Sequence, residues 1–111
     1  MKTLNEYQRE AAKTIPDNMD GPTMIDNAVY GLCGEVGECV DRLKKVKFQG
    51  HPQDIEHLTY ELGDVLWYVA EMATGAGLTL EEIAEKNIQK LRKRYGESFD
   101  ADKSINRKDN M

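Results

Sequence analysis

Apolar residues in the middle of the chain recur at alternating steps of four and three. One series runs Ile25, Val29, Leu32, Val36, Cys39 with Val40, Leu43 and Val46. A second runs Ile55, Leu58, Leu62, Val65 with Leu66, Val69, and Met72 with Ala73; a third runs Leu80, Ile83 with Ala84, Ile88, Leu91 and Tyr95. Such spacing marks one stripe of a 3.6-residue helix, so it predicts long amphipathic helices over about 23–48, 53–73 and 80–95. "LNEYQREAAKTI" predicts a shorter helix that stops before Pro16. The three prolines, at 16, 22 and 52, fall between these segments. "TGAG" carries two glycines that should end the third helix, and Thr79 with Glu82 reads as a capping box for the fourth. No alternating β-branched run occurs anywhere. The expected fold is all-α: an antiparallel bundle of three long helices plus a short N-terminal one, completed by oligomerisation. It should be a single domain over residues 1–111, with a loose, polar tail from about 100 onward.

Two places break the helical propensity. Glu35-Val36-Gly37-Glu38 and Glu61-Leu62-Gly63-Asp64 repeat one pattern, acid, aliphatic, glycine, acid, inside segments that otherwise read as helix. A glycine costs a helix interior roughly 1 kcal/mol relative to alanine. Residues three apart are neighbours on a helix, so each pair of acids forms one patch, to the side of the Val36 and Leu62 stripes. With the hairpin turn near Gly50 and His51, both patches fall about 15–20 Å from the turn, at one height. Four carboxylates gathered there would repel one another without a cation, and their hard oxygens suit Mg²⁺ or Mn²⁺. Gly31, Gly34, Gly37 and Gly63 would leave room for close helix approach and for a ligand.

The charge balance limits the partners. Twenty Asp and Glu against fifteen Lys and Arg give a net charge of −5, which argues against a general nucleic-acid binder. A local basic patch remains available on the fourth helix, where Lys86, Asn87, Lys90 and Arg94 share one side. Such a stripe suits a polyphosphate whose remaining charge a metal neutralises. No apolar run approaches the ~20 residues of a membrane span. The charged start "MKTLNEYQRE" lacks a signal-peptide core, so a cytoplasmic location is expected. Cys33 and Cys39 are too few for a disulfide framework and read as inert thiols. His57, one turn before Glu61, reads as a polar neighbour of the acids rather than a ligand.

"GEVGE", 22 residues, then "ELGD", followed by "EKNIQKLRKRY", resembles the E-x-x-E and E-x-x-D signature and last-helix motif of the MazG-like all-α nucleoside triphosphate pyrophosphohydrolases, in their compact single-domain form. The resemblance covers residues 4–99. It implies cleavage of a nucleoside triphosphate to the monophosphate and pyrophosphate. It further implies Glu35, Glu38, Glu61 and Asp64 as Mg²⁺ ligands, with Glu38 the expected general base for the attacking water. Lys86, Asn87, Lys90 and Arg94 carry over as phosphate and sugar contacts, and assembly as a homodimer or homotetramer is implied. Trp67 and Tyr68, just after the second motif, are candidates to hold the base, with Asn5, Tyr7 and Gln8 behind them. Phosphoribosyl-ATP pyrophosphohydrolase activity on the same scaffold and a non-catalytic nucleotide-binding homo-oligomer are the competing expectations.

Overall fold

The computed structural model describes residues 1–106. Five helices follow one another: α1 (Leu4–Ala12), α2 (Gly21–Phe48), α3 (Ile55–Gly75), α4 (Leu80–Tyr95) and α5 (Ala101–Ile105). No strand occurs among the described residues, so the chain is all-α as expected.

Side-chain caps set the helix starts. Thr3 accepts from the Glu6 amide, Asp20 from Thr23 and Asp54 from His57, at 3.0, 2.9 and 3.1 Å. Each supplies an acceptor to an amide that has no partner inside its helix. Asp20 therefore starts α2 two residues before the expected Thr23, with Pro22 in the first turn, where a missing N–H costs nothing. α2 ends at Phe48, and just beyond it Gly50, with φ 72°, lets the His51 amide return to the Lys45 carbonyl at 3.2 Å. Gly77, φ 74°, does the same for α3, with Leu78 N–H on Ala73 O at 2.8 Å.

The third helix ends within "TGAG" as expected, and its first glycine has a second role. Gly75 is the last residue of α3 and touches the first residue of α2. A Cβ on Gly75 would lie 2.7 Å from the Gly21 carbonyl oxygen, and one on Gly21 would lie 2.6 Å from that of Gly75. Two backbones meet here, and only glycine permits it.

Residues 1–79 and the described residues from Leu80 onward form two compact units. In the first, α2 and α3 make an antiparallel hairpin and α1 lies along α3. The Trp67 indole donates to Thr14 Oγ1 at 2.8 Å, and Gln8 Nε2 donates to Thr74 Oγ1 and Leu78 O at 3.1 and 2.9 Å. Ala11 and Ile15 are buried in the same unit. In the second unit, α4 leads through Gly96 to α5. Tyr95 and Phe99 stack with centroids 5.3 Å apart beside a cavity of ≈ 360 Å³. The tail, expected to be loose from about 100, instead turns into α5, where Asp100 accepts from the amides of Asp102 and Lys103. The remainder of that expectation, 107–111, lies outside the described residues.

The expected packing stripe needs correction. Ile25, Leu32, Cys39 and Val46 do turn inward, but Val29, Val36 and Leu43 are exposed, the last at 61%. Their places facing α3 are taken by the residues just before them, Ala28, Glu35 and Arg42. On α3, Leu62 is 57% exposed while Glu61 is buried. Neighbouring residues lie about 100° apart around a helix. Each helix thus turns so that part of its apolar arc and the acids beside it share the interface, leaving the rest of the arc outside. The acids therefore lie on the hairpin's seam rather than off it.

Candidate metal centre

Polar residues recur along the hairpin interior, beside the buried Ala28, Ala70 and Ala73. From the α1 end toward the turn, the facing pairs are Asn27 with Glu71, Gly31 with Tyr68, Glu35 with Glu61 and Asp64, and Arg42 with His57. Glu71 is 1% exposed, and the Asn27 amide bonds both of its oxygens at 2.9 and 3.0 Å. Gly31 exists because the Tyr68 ring occupies the space a Cβ would fill. Of the four glycines expected to admit a close helix, only Gly31 does so; Gly34, Gly37 and Gly63 face open space.

At the centre, one carboxylate oxygen each from Glu35, Glu38 and Glu61 lies within 4.8 Å of the others. Partial burial, a hydrogen bond with the Glu61 carboxyl, and the charges of Glu38 and Asp64 push Glu35 up to about 7. One buried oxygen on Glu35 and one on Glu61 have no donor among the described residues. Two acceptor oxygens brought together without a donor need either a shared proton or a cation. Carboxylate oxygens alone, at this spacing, are the donor set of a hard divalent ion, so the residues fit Mg²⁺ or Mn²⁺. His57 Nε2 stands 3.2 Å from Glu61 Oε1, the neighbourly position expected for it.

Asp64 stands outside this trio. It is close enough for its charge to raise Glu35, and the Tyr7 hydroxyl, raised mainly by its own burial, is raised further by Asp64, which brings α1 to the edge of the site. Asp64 and Glu35 line a cavity of ≈ 340 Å³ with Trp67 and Tyr68, whose rings meet edge to face at 5.1 Å. On the other side of the trio, a cavity of ≈ 430 Å³ is lined by Gly34, Gly37, Glu38, Arg42, Lys45 and His57, among others. Arg42 and Lys45 were not foreseen. Arg42 is four residues after Glu38, which puts it on the acids' side of α2, and that spacing was legible. Lys86, Asn87, Lys90 and Arg94 all lie on α4, in the second unit. Lys86 and Asn87 are exposed, Lys90 is half-buried and Arg94 is buried.

Residues 25–99 match the MazG nucleotide pyrophosphohydrolase domain. The chain belongs to this family. It is also 32% identical over 82 residues to the Gene 37 protein of Mycobacterium phage L5, covering 70% of this chain and 69% of that one. No solved structure matches it significantly. Enzymes of the MazG family are typically dependent on a divalent metal. No helix among the described residues is long and apolar enough to cross a membrane.

Proposed function

We propose that this MazG-family chain is a Mg²⁺-dependent nucleotide pyrophosphohydrolase that converts a ribo- or deoxyribonucleoside triphosphate to its monophosphate and pyrophosphate. The observation that carries this reading is the carboxylate trio, with two buried oxygens that lack a donor. Glu35, Glu38, Glu61 and Asp64 would hold Mg²⁺, with Mn²⁺ an alternative. The cation, when bound, would polarise phosphate oxygens and make a nearby water more acidic. Glu38, the exposed member of the trio, would take the proton from that water. The Trp67 and Tyr68 rings are offered to the nucleobase, although the Trp67 indole N–H is engaged by Thr14 and leaves only the ring for stacking. Lys86, Asn87, Lys90 and Arg94 are proposed as phosphate and sugar contacts.

The exposed apolar arcs of α2 and α3 support assembly as a homodimer or homotetramer, because large exposed apolar patches mark interaction surfaces. A single cytoplasmic domain acting on a small molecule, with no nucleic acid or membrane as partner, is consistent with the acidic charge and the absence of a spanning helix among the described residues.

A nucleotide panel with Mg²⁺, reading pyrophosphate against orthophosphate, tests the proposal. Pyrophosphate release from at least one triphosphate, abolished by EDTA and restored by Mg²⁺, is the expected result. Orthophosphate as the first product would contradict it. Phosphoribosyl-ATP belongs in the panel, and its exclusive turnover would assign the other activity.

A further inference from the structure

The carboxylate trio separates two cavities of opposite character. The one toward α1 carries the aromatic rings of Trp67 and Tyr68; the one toward the hairpin turn carries Arg42, Lys45 and His57. We infer that these fix the polarity of the substrate along the hairpin: the nucleoside lies toward Trp67 and Tyr68, and the terminal phosphates, which leave as pyrophosphate, lie against Arg42 and Lys45. The inference rests on the pyrophosphohydrolase reading and deepens it by assigning a subsite to the leaving group.

Three features of the turn-side cavity suit a polyphosphate. The first is Arg42 itself. A guanidinium carries five N–H donors. Arg42 has its Nε buried with no partner among the described residues, and its one bond, to the Pro52 carbonyl, is long at 3.4 Å. A polyphosphate oxygen is the acceptor such a fork is built to meet. The second is spacing. Glu38 and Arg42 are one helical turn apart on one side of α2, so a phosphate chain leaving the carboxylates along the helix meets the guanidinium next. The third is the floor. At Gly34 and Gly37 no atom beyond the adjoining residues and the local helix backbone lies within 4 Å of where a side chain would begin, so the ligand can approach the helix itself. Lys45, paired with Asp41 at 3.0 Å and partly exposed, is placed to add a second positive charge. The opposite cavity has no basic residue in its lining and offers aromatic faces instead.

Calorimetric titration of inorganic pyrophosphate with Mg²⁺, and separately of a nucleoside monophosphate, into wild type and Arg42→Gln tests this directly. Loss of one charge-assisted contact should weaken pyrophosphate roughly ten- to hundred-fold and leave the monophosphate unchanged. KM for the triphosphate should rise with it, and preference for triphosphate over diphosphate should fall. Arg42→Lys should recover part of the affinity. Wild type that binds no pyrophosphate, or an Arg42→Gln chain that loses the monophosphate instead, would overturn the assignment. So would reduced thermal stability with pyrophosphate affinity unchanged, which would make Arg42 a strut for the turn. If Arg42→Gln does not fold, Lys45→Gln with His57→Asn carries the same expectation. Pyrophosphate held through Arg42 in a protein that hydrolyses no triphosphate would keep the subsite and remove the hydrolase reading.

Discussion

Along the facing surfaces of α2 and α3 stand Asn27, Glu35, Arg42, Glu61 and Glu71; along their exposed surfaces stand Val36, Val40, Leu43, Leu62 and Leu66. Hydrophobic burial within one chain would put them the other way round. A buried carboxylate costs several kcal/mol unless a donor or a cation meets it. An exposed leucine forgoes about 1.5–3 kcal/mol of burial. Both costs vanish together if a cation occupies the interior and a second copy covers the exterior. On the proposed reading a ligand accounts for the inner surface and a partner for the outer one, and each account can be broken separately.

The largest effect is expected on the inner surface. Glu38→Gln and Asp64→Asn should each lower activity by more than the roughly 100-fold typical of residues that only support a metal's ligands. Stability without metal should stay level or rise, since each removes like-charge repulsion of about 1–4 kcal/mol per close pair. Glu35 adds a pH signature to the metal-free protein. Its folded value is raised from 4.5 to about 7, so across that window the folded chain holds a proton that the unfolded chain has released. Stability should therefore fall as pH rises through the window. Mg²⁺ should restore the lost melting temperature above it, and Glu35→Gln should flatten the dependence. A metal-free protein whose melting temperature rises from pH 5 to pH 8 would contradict the shared-proton arrangement.

Next in size is the outer surface. Leu43→Glu and Leu62→Glu replace exposed apolar groups with charge, each removing about 1.5–3 kcal/mol from an interface that buries them. Wild type should give a dimer or tetramer mass by light scattering at micromolar concentration, and the variants a monomer. Variants that keep the wild-type mass would mean that the partner docks elsewhere.

The two surfaces also mark where the sequence could be read and where it could not. Helix ends were legible to within a few residues because Pro16, Pro22, Pro52 and the turn at Gly50 act locally. The height of the acids was legible too, since rise per residue and the turn position determine it. Which face of each helix turns inward was not. At 28 and 29, 35 and 36, and 42 and 43, the apolar residue looks like the core member, and assigning it there assumes that one chain buries all its own apolar surface. The structure places its smaller or charged neighbour inside instead. Glu71 with Asn27, and Gly21 with Gly75, depend on contacts 44 and 54 residues apart, and neither pattern stands out from its local context.

The smallest effect separates two glycines that the sequence treats alike. Gly31 and Gly37 are both interior to α2, and propensity alone says that alanine should stabilise either by up to about 1 kcal/mol. At Gly31 the new methyl would overlap the Tyr68 ring, which is itself packed against Trp67. Overpacking of this kind costs about 1–3 kcal/mol, so Gly31→Ala should be destabilising despite its better propensity. At Gly37 nothing lies within 4 Å, so Gly37→Ala should raise the melting temperature of the metal-free chain. That same open space is the floor of the cavity beside Arg42. The methyl that helps the helix should therefore weaken Mg²⁺–pyrophosphate binding, so that stability and affinity move in opposite directions in one variant. A Gly37→Ala protein that is both more stable and unchanged in pyrophosphate affinity would show that the glycine serves neither packing nor ligand, and that the inner surface is not lined for a polyphosphate at this point.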